Sequence, residues 1–430
     1  MAKFIFRNRR NATILTSTTN RYDKYKDSGI EWIGEIPDSW NNVRLRFLCN
    51  IQTGNKDTVD KNEYGEYPFY VRSPIIERID TYSFDGEAIL TAGDGVGAGK
   101  VFHYVNGKFD YHQRVYNLHN FNKICAKFLF YYLKENFYKE IEQSNAKSTV
   151  DSIRLPMLLD FPIVFAKDLK EQEAIAGYLD RKCGAIDETI EKQKSVIEKL
   201  KEYKQSIITQ AVTKGLDKSA PMKDSGIEWI GQIPQHWDSI KLKYKFRIKK
   251  DIAGEEGFDI LSVTQQGLRI KDISTNEGQL AMDYSKYQIV KPSDFVMNHM
   301  DLLTGWVDCS AYFGVTSPDY RVFVNTDQKN CNNQYYNYVF QICYKNKIFY
   351  GLGQGVSGLG RWRLQSDKFL NFRIPIPPYN EQEQIVQYIN KKCSEIDKTI
   401  EDKEKLIEKL LEYKKSLIYE CVTGKRKVVA

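Results

Sequence analysis

No apolar run in the 430-residue chain approaches the ~18–20 residues needed to cross a bilayer. Within Met1–Asn20 the apolar stretches reach only three or four residues, too short for a signal-peptide core. The chain is therefore expected to be soluble and cytoplasmic, with no membrane partner. Eight cysteines are scattered without a C-x-x-C pair, which points to reduced thiols and against a structural zinc site. Five histidines are equally dispersed; His103, His112 and His119 fall in one region but lack metal-ligand spacing. Nor is there a strong excess of one charge. The formal net charge of +7 neither demands nor excludes a polyanionic partner. What remains is an ordinary globular composition, long enough for two or three domains.

What the chain does have is a copy of itself. Asp27–Trp40 reads DSGIEWIGEIPDSW and Asp224–Trp237 reads DSGIEWIGQIPQHW. Glu171–Thr213 matches Glu381–Thr423 without a gap and with more than half the positions identical, Tyr178/Tyr388, Cys183/Cys393, Asp187/Asp397 and Tyr203/Tyr413 among them. Between these blocks, Val43–Leu169 and Ile240–Tyr379 share little. The plan is a duplicated frame around two different inserts.

The later block is helical by its spacing. Leu179, Cys183, Ile186, Ile190, Ile197, Leu200, Ile207 and Ala211 form a heptad seam, repeated by Ile389, Cys393, Ile396, Ile400, Ile407, Leu410, Leu417 and Cys421. Both copies break it at the same places, Gln193/Lys403 and Lys204/Lys414. Asn380, with Glu383 three residues on, is the expected cap of the second helix after Pro375, Pro377 and Pro378. Each helix makes a rod of roughly 64 Å, and its stripe needs a partner. Antiparallel pairing with its own copy is favoured, because the compact insert between them returns the chain to the opposite end. A parallel dimer with a second molecule is the competing arrangement. The Trp-bearing strap is expected to dock at the helix ends.

Both inserts mix short strands and turns. The first is expected to have strands at Tyr67–Val71, Glu87–Leu90, Val101–Val105 and Val115–Leu118, then a helix at Lys127–Gln143. The second is expected to have strands at Phe295–Met297, Ala311–Phe313 and Tyr320–Val324, then a helix around Tyr335–Tyr344. A Gly- or Ser-rich loop follows each (Ser144–Ser148; Gly351–Gly360), then a short Pro-bearing strand (Phe161–Ile163; Ile374–Pro377).

Three segments imitate catalytic motifs and fail. GDGVGAGK at Gly93–Lys100 puts Asp94 where a phosphate loop needs its leading Gly and Val101 where it needs Ser or Thr, so it reads as a glycine turn. Pro377-Pro378-Tyr379 resembles an amino-methyltransferase tetrapeptide, but Ile376 cannot accept the required hydrogen bond. Pro318-Asp319 with Asp327-Gln328-Lys329 only loosely resembles a nuclease triad. What is left is a recognition surface. In the first insert it comprises Arg72, Ser73, Lys100, His112, Gln113, Arg114, Lys147 and Ser148. In the second it comprises Gln265, Gln266, Arg269, Asn298, His299, Tyr320, Arg361 and Arg363. Any one of these is more often a solvated surface residue. Grouped beside glycine loops, they suit base edges (Arg for guanine, Gln and Asn for adenine) and phosphates (Lys, Ser).

Two variable domains, each followed by a long helix opening on Glu-Gln-Glu and closing on Val-Thr, resemble the specificity subunit of a type I restriction–modification system. The resemblance runs from about Asp27 to Lys427 and rests on the twin straps, Glu171-Gln172-Glu173, Glu381-Gln382-Glu383 and SPDYRVF at Ser317–Phe323. It implies an α+β, pseudo-twofold chain with these parts: a basic tail at 1–20, target recognition domains at 21–169 and 215–379, a spacer helix at 170–214, and a second with a C-terminal tail at 380–430. The helices would pair as an antiparallel coiled coil. Each domain would read half of a split, asymmetric sequence in double-stranded DNA. The helices would set the spacer and dock two modification subunits, with restriction/translocase subunits outside. The chain would be non-catalytic and carry no cofactor, S-adenosylmethionine, ATP and Mg2+ belonging to the partners that methylate adenine and cut DNA. A self-contained methyltransferase or nuclease, or a coiled-coil scaffold that never meets DNA, are the alternatives.

Overall fold

A computed structural model describes residues 21–95, 97–144, 152–272, 281–355 and 362–428. The helices among them are α1 (Ala126–Ser144), α2 (Leu155–Asp160), α3 (Leu169–Lys214), α4 (Asn333–Lys345), α5 (Ile348–Leu352), α6 (Ser366–Asn371) and α7 (Tyr379–Val422). None of them is long and apolar enough to cross a membrane. The chain divides into two compact units, one from Met1–Gln193 with Lys405–Ala430 and one from Lys194–Glu404. Each long helix thus contributes one half to either unit.

In the first unit a six-stranded sheet runs Asn50–Thr53, Val115–His119, Phe84–Ala92, Phe102–Tyr111, Tyr67–Tyr70, Ile76–Ile79. Every pairing is antiparallel except that of Tyr67–Tyr70 with Phe102–Tyr111. Because strand residues alternate in direction, Ile89, Leu118 and Phe102 join a core with Phe128, Leu129 and Leu133 of α1. Leu90, Phe109, Tyr111 and Val115 form a separate cluster. The second unit is built on four antiparallel strands in the order Phe246–Lys249, Arg321–Asn325, Phe295–Met297, Val307–Cys309. Phe246, Phe295, Phe323 and Phe340 meet edge-on or stacked at its centre.

The duplicated motifs build the same joint twice. Each strap folds as a small hairpin, Tyr25–Asp27 with Glu35–Pro37 and Met222–Asp224 with Gln232–Pro234. Its closing tryptophan, Trp40 or Trp237, is fully buried. Trp40 donates its indole N–H to Glu171 at 3.1 Å, and Trp237 donates to Glu381 at 2.9 Å, so the strap docks on the first turn of α3 or α7. The next residue, Gln172 or Gln382, has no exposure at all. Gln172 accepts from the Cys125 N–H at 2.7 Å and donates to the carbonyls of Lys123 (3.1 Å) and Ala166 (2.8 Å). Gln382 repeats this with Asn332, Asn330 and Pro377 at 2.7, 2.8 and 2.8 Å. One amide therefore ties each long helix to the loop before its neighbouring helix and to the strand end behind it.

Within each unit the two long helices run antiparallel. In the first, Tyr178 sits against Arg426, and Asp187 accepts from Lys414 at 2.6 Å. In the second, Lys201 faces Glu404 and Lys204 donates to Asp397 at 2.7 Å. The seam residues Leu179, Cys183, Ile186, Ile190, Ile197, Ile207 and Ala211 are buried, as are Ile389, Cys393, Ile396, Leu417 and Cys421. The seam breaks Lys204 and Lys414 are the very residues that bond across to the opposite helix's aspartate.

Two local expectations are corrected. Ala311–Phe313 is a bend, because the Ser310 hydroxyl accepts the Tyr312 N–H and donates to its carbonyl; the strand starts at Gly314. Asn380 lies inside α7 and does not cap it; the Pro378 carbonyl receives the N–H groups of Glu381 and Gln382.

Candidate nucleic-acid interface

In the first unit His112, Gln113 and Arg114 form the turn joining Phe102–Tyr111 to Val115–His119, and Arg72 meets it through Asp94. That turn is braced from several sides: His112 N–H to the Tyr70 carbonyl (3.0 Å), Gln113 N–H to the Lys56 carbonyl (2.8 Å), and Val115 N–H to the His112 carbonyl (2.9 Å). His112 itself is buried. Its Nδ1 accepts the Arg114 N–H at 2.9 Å and its Nε2 lies 3.5 Å from Asp57. Burial, with Arg72 and Arg114 nearby, holds its pKa below the usual value despite Asp57. As placed, His112 supports the turn from behind instead of presenting an edge.

Gln113 does reach the surface, donating to Asp57 at 2.7 Å. Arg72 and Arg114, from different loops, both donate to Asp94, at 2.9 and 2.6 Å. Partial burial raises the Asp94 carboxyl, but the two guanidinium groups outweigh it and hold it below the usual range. Ser73 closes a local turn on Ile75. Lys100, on the loop that carries Asp94, lies 4.6 Å over the Tyr138 ring. Lys147 and Ser148 lie outside the described residues. Asp57 was not singled out from the sequence, and Asp94 figured there only as the residue that breaks the phosphate-loop pattern of Gly93–Lys100.

In the second unit Gln265 and Gln266 form the tip of a hairpin pairing Leu261–Thr264 with Gly267–Ile270. Gly267, at φ +112°, lets Asp308 approach to within 2.8 Å of where a Cβ would stand and accept the Leu268 N–H at 2.8 Å. Arg269 follows on the second strand, and with Asn298 and Tyr320 it lines one cleft of about 920 Å³, beside Tyr284, Tyr287 and Asp319. Three predicted residues are thereby brought together. Among the described residues Arg269 makes no salt bridge.

Arg363 does not itself line this cleft but sits behind it, its guanidinium against the sulfur of Met300, a lining residue, and its backbone bonded both ways to Gln354. Arg361 lies outside the described residues. Arg321, missed from the sequence, is buried with its guanidinium on the Leu364 carbonyl (2.8 Å) and over the Phe369 ring (4.8 Å). The lookalike triad has a structural role: Asp327 pairs with Lys245 and Asn330. Among the described residues no group of three His, Cys, Asp or Glu could hold a metal.

His299 is packed beside Arg321 and Arg363, its Nδ1 buried and without a partner among the described residues. Burial first, then the two cations, push its pKa down from 6.5 to about 3. The unfolded chain takes up this proton near pH 6.5 and the folded chain does not until about pH 3. The stability this neutral imidazole secures is therefore intact above pH 6.5 and is lost on acidification towards pH 3, at up to about 1.4 kcal/mol per pH unit. In urea titrations between pH 6.5 and 4, His299→Gln should show a shallower loss of stability than the parent; parallel curves would sink the assignment.

Two copies of the type I restriction modification DNA specificity domain match, at residues 37–201 and 246–412. The MjaVIII specificity subunit of Methanocaldococcus jannaschii is 26% identical over 427 residues, spanning 91% of this chain and 94% of that one. The EcoDI specificity subunit of Escherichia coli is 29% identical over 185 residues, 43% of this chain and 40% of that relative's length. Among solved structures, a chain described under complex assembly and conformational transition of the type I R-M system superposes with TM-score 0.66 at 12% identity, covering 90% of this chain and 99% of that one. The HsdS subunit from Thermoanaerobacter tengcongensis superposes with TM-score 0.50 at 13% identity, over 90% and 98% of the two chains. At such identities the structures bear on the fold.

Proposed function

The chain belongs to the type I restriction modification DNA specificity family, and from that premise we propose that its two variable domains each read one half of a split, asymmetric target in double-stranded DNA. The observation that carries this reading is the contrast inside the chain. The joints made by Trp40–Glu171–Gln172 and Trp237–Glu381–Gln382 are the same, while the surfaces they carry differ. One offers Gln113 with two arginines on a carboxylate; the other offers a hairpin tip and a cleft with Arg269, Asn298 and Tyr320. Unlike readers on a common frame suit a target whose halves differ.

In this reading Arg72, Ser73, Lys100, Gln113 and Arg114 meet one half-site, and Gln265, Gln266, Arg269, Asn298, Tyr320 and Arg363 meet the other. α3 and α7 set the spacer and dock two modification subunits, with restriction/translocase subunits joining them in the cytoplasm. Exposed tyrosines suit such docking: Tyr203 and Tyr388 both lie near Lys392 in the second unit, and Tyr413 lies near Tyr178 in the first. S-adenosylmethionine, ATP and Mg2+ act in those partners, and this chain supplies the address. Replacing residues 43–169 by the corresponding domain of a relative should change one half of the methylated motif in a genome carrying the partner genes. If both halves change, or neither, the reading fails.

A further inference from the structure

GDGVGAGK at Gly93–Lys100 is no phosphate loop, yet its glycines have a definite use. A Cβ on Gly93 would stand 2.8 Å from the carbonyl oxygen of Arg114, and one on Gly97 would stand 2.4 Å from that of Arg72. The Gly93 N–H donates to that Arg114 carbonyl at 2.7 Å. The loop can lie against the backbones of both arginines only because these two positions lack side chains. Asp94 falls between them and takes one N–H from each, Arg72 Nη1 on Oδ1 and Arg114 Nη1 on Oδ2. Each guanidinium keeps its Nε and Nη2 without a partner among the described residues. The arginine side chains remain 43% and 60% exposed, while Asp94 is only 23% exposed beneath them.

We infer that Asp94 is a positioning residue that yokes Arg72 and Arg114 into a single reader of guanine in the first half-site, an inference that rests on the DNA-reading function proposed above. A guanidinium offers two parallel N–H groups that match guanine O6 and N7. Held on one carboxylate, two such forks keep a fixed spacing, so less side-chain freedom is lost on binding. The carboxylate also cancels one of their two positive charges. A phosphate approaching the pair would face Asp94 as a like charge, whereas the neutral edge of guanine would not. The arrangement therefore favours base reading over backbone clamping.

The test uses the full chain assembled with its modification subunits and a set of duplexes in which each base pair of the methylated target is replaced in turn. Arg72→Ala and Arg114→Ala should each lose discrimination at G·C pairs of one half-site, by roughly 5- to 150-fold. Asp94→Asn should lose it at both positions together, while binding a scrambled duplex more tightly and with a steeper salt dependence. The other half-site should be read as before. An Asp94→Asn complex that keeps its discrimination, or weakens on every duplex by one factor, overturns the inference. So does loss confined to A·T pairs. Should Asp94→Asn melt early, the Arg72→Ala/Arg114→Ala cycle decides: a yoked pair is strongly non-additive at shared positions, and additive losses refute the yoke. If the parent complex cannot tell its target from scrambled DNA, the failure lies with the DNA-reading function itself.

Discussion

Gln172→Leu should lower the stability of the first unit by roughly 2–4 kcal/mol, although the leucine nearly fills the same volume. The glutamine is fully buried and spends its whole amide on backbone. Removing it strands the Ala166 carbonyl in the interior and leaves the Cys125 N–H and Lys123 carbonyl only partly reachable by water. A buried polar group without a partner costs about 1–3 kcal/mol, and three together exceed what the added apolar surface returns. Gln382→Leu should act alike in the second unit, on Asn332, Asn330 and Pro377. Urea denaturation followed by fluorescence measures both; a loss below about 1 kcal/mol in either would show the amide to be dispensable.

The same glutamine shows what a sequence can and cannot disclose. That Glu-Gln-Glu recurs is plain in the sequence, but the three backbone groups the glutamine satisfies lie on separate segments, the farthest 49 residues away. The two long helices were legible throughout, because a seam such as Leu179–Cys183–Ile186–Ile190 records burial at every turn; the short α2, α5 and α6 carry no such seam and were not expected. The breaks at Lys204 and Lys414 were legible as breaks; their aspartates, 193 and 227 residues distant, were not. Strands fared worse. Asn50–Thr53 and Ile76–Ile79 are edge strands with little burial and a weak period-two signal, and the apolar Ala311–Phe313 was diverted by one serine hydroxyl. At the proposed reading surface, residue type identified Arg72 and Arg114 as donors but could not reveal that Asp94 holds both. It also put His112 at the surface, where the brace of Tyr70, Lys56 and Asp57 instead turns it inward.

Lengthening both long helices should move the target without altering what is read. Four residues inserted after Ser195 of α3 and four after Lys405 of α7, at matching points of the two copies, add about 6 Å at 1.5 Å each and close to one full turn. The apolar stripe therefore continues on nearly the same face. The pairs Asp187–Lys414 and Lys204–Asp397 stay within their own units, as do both tryptophan–glutamate joints. Neither insertion falls in an element that carries a described residue of the proposed reading surfaces. If the helices measure the distance between half-sites, the unread spacer should grow by one or two base pairs, since 6 Å spans slightly less than two steps of B-DNA at about 3.4 Å each. Binding to the parental spacing should fall to the non-specific level, roughly a thousandfold or more weaker. Methylation profiling reads both half-sites and the gap between them. A gap that keeps its length would mean the helices do not measure it, and altered half-site bases would mean they do more than measure.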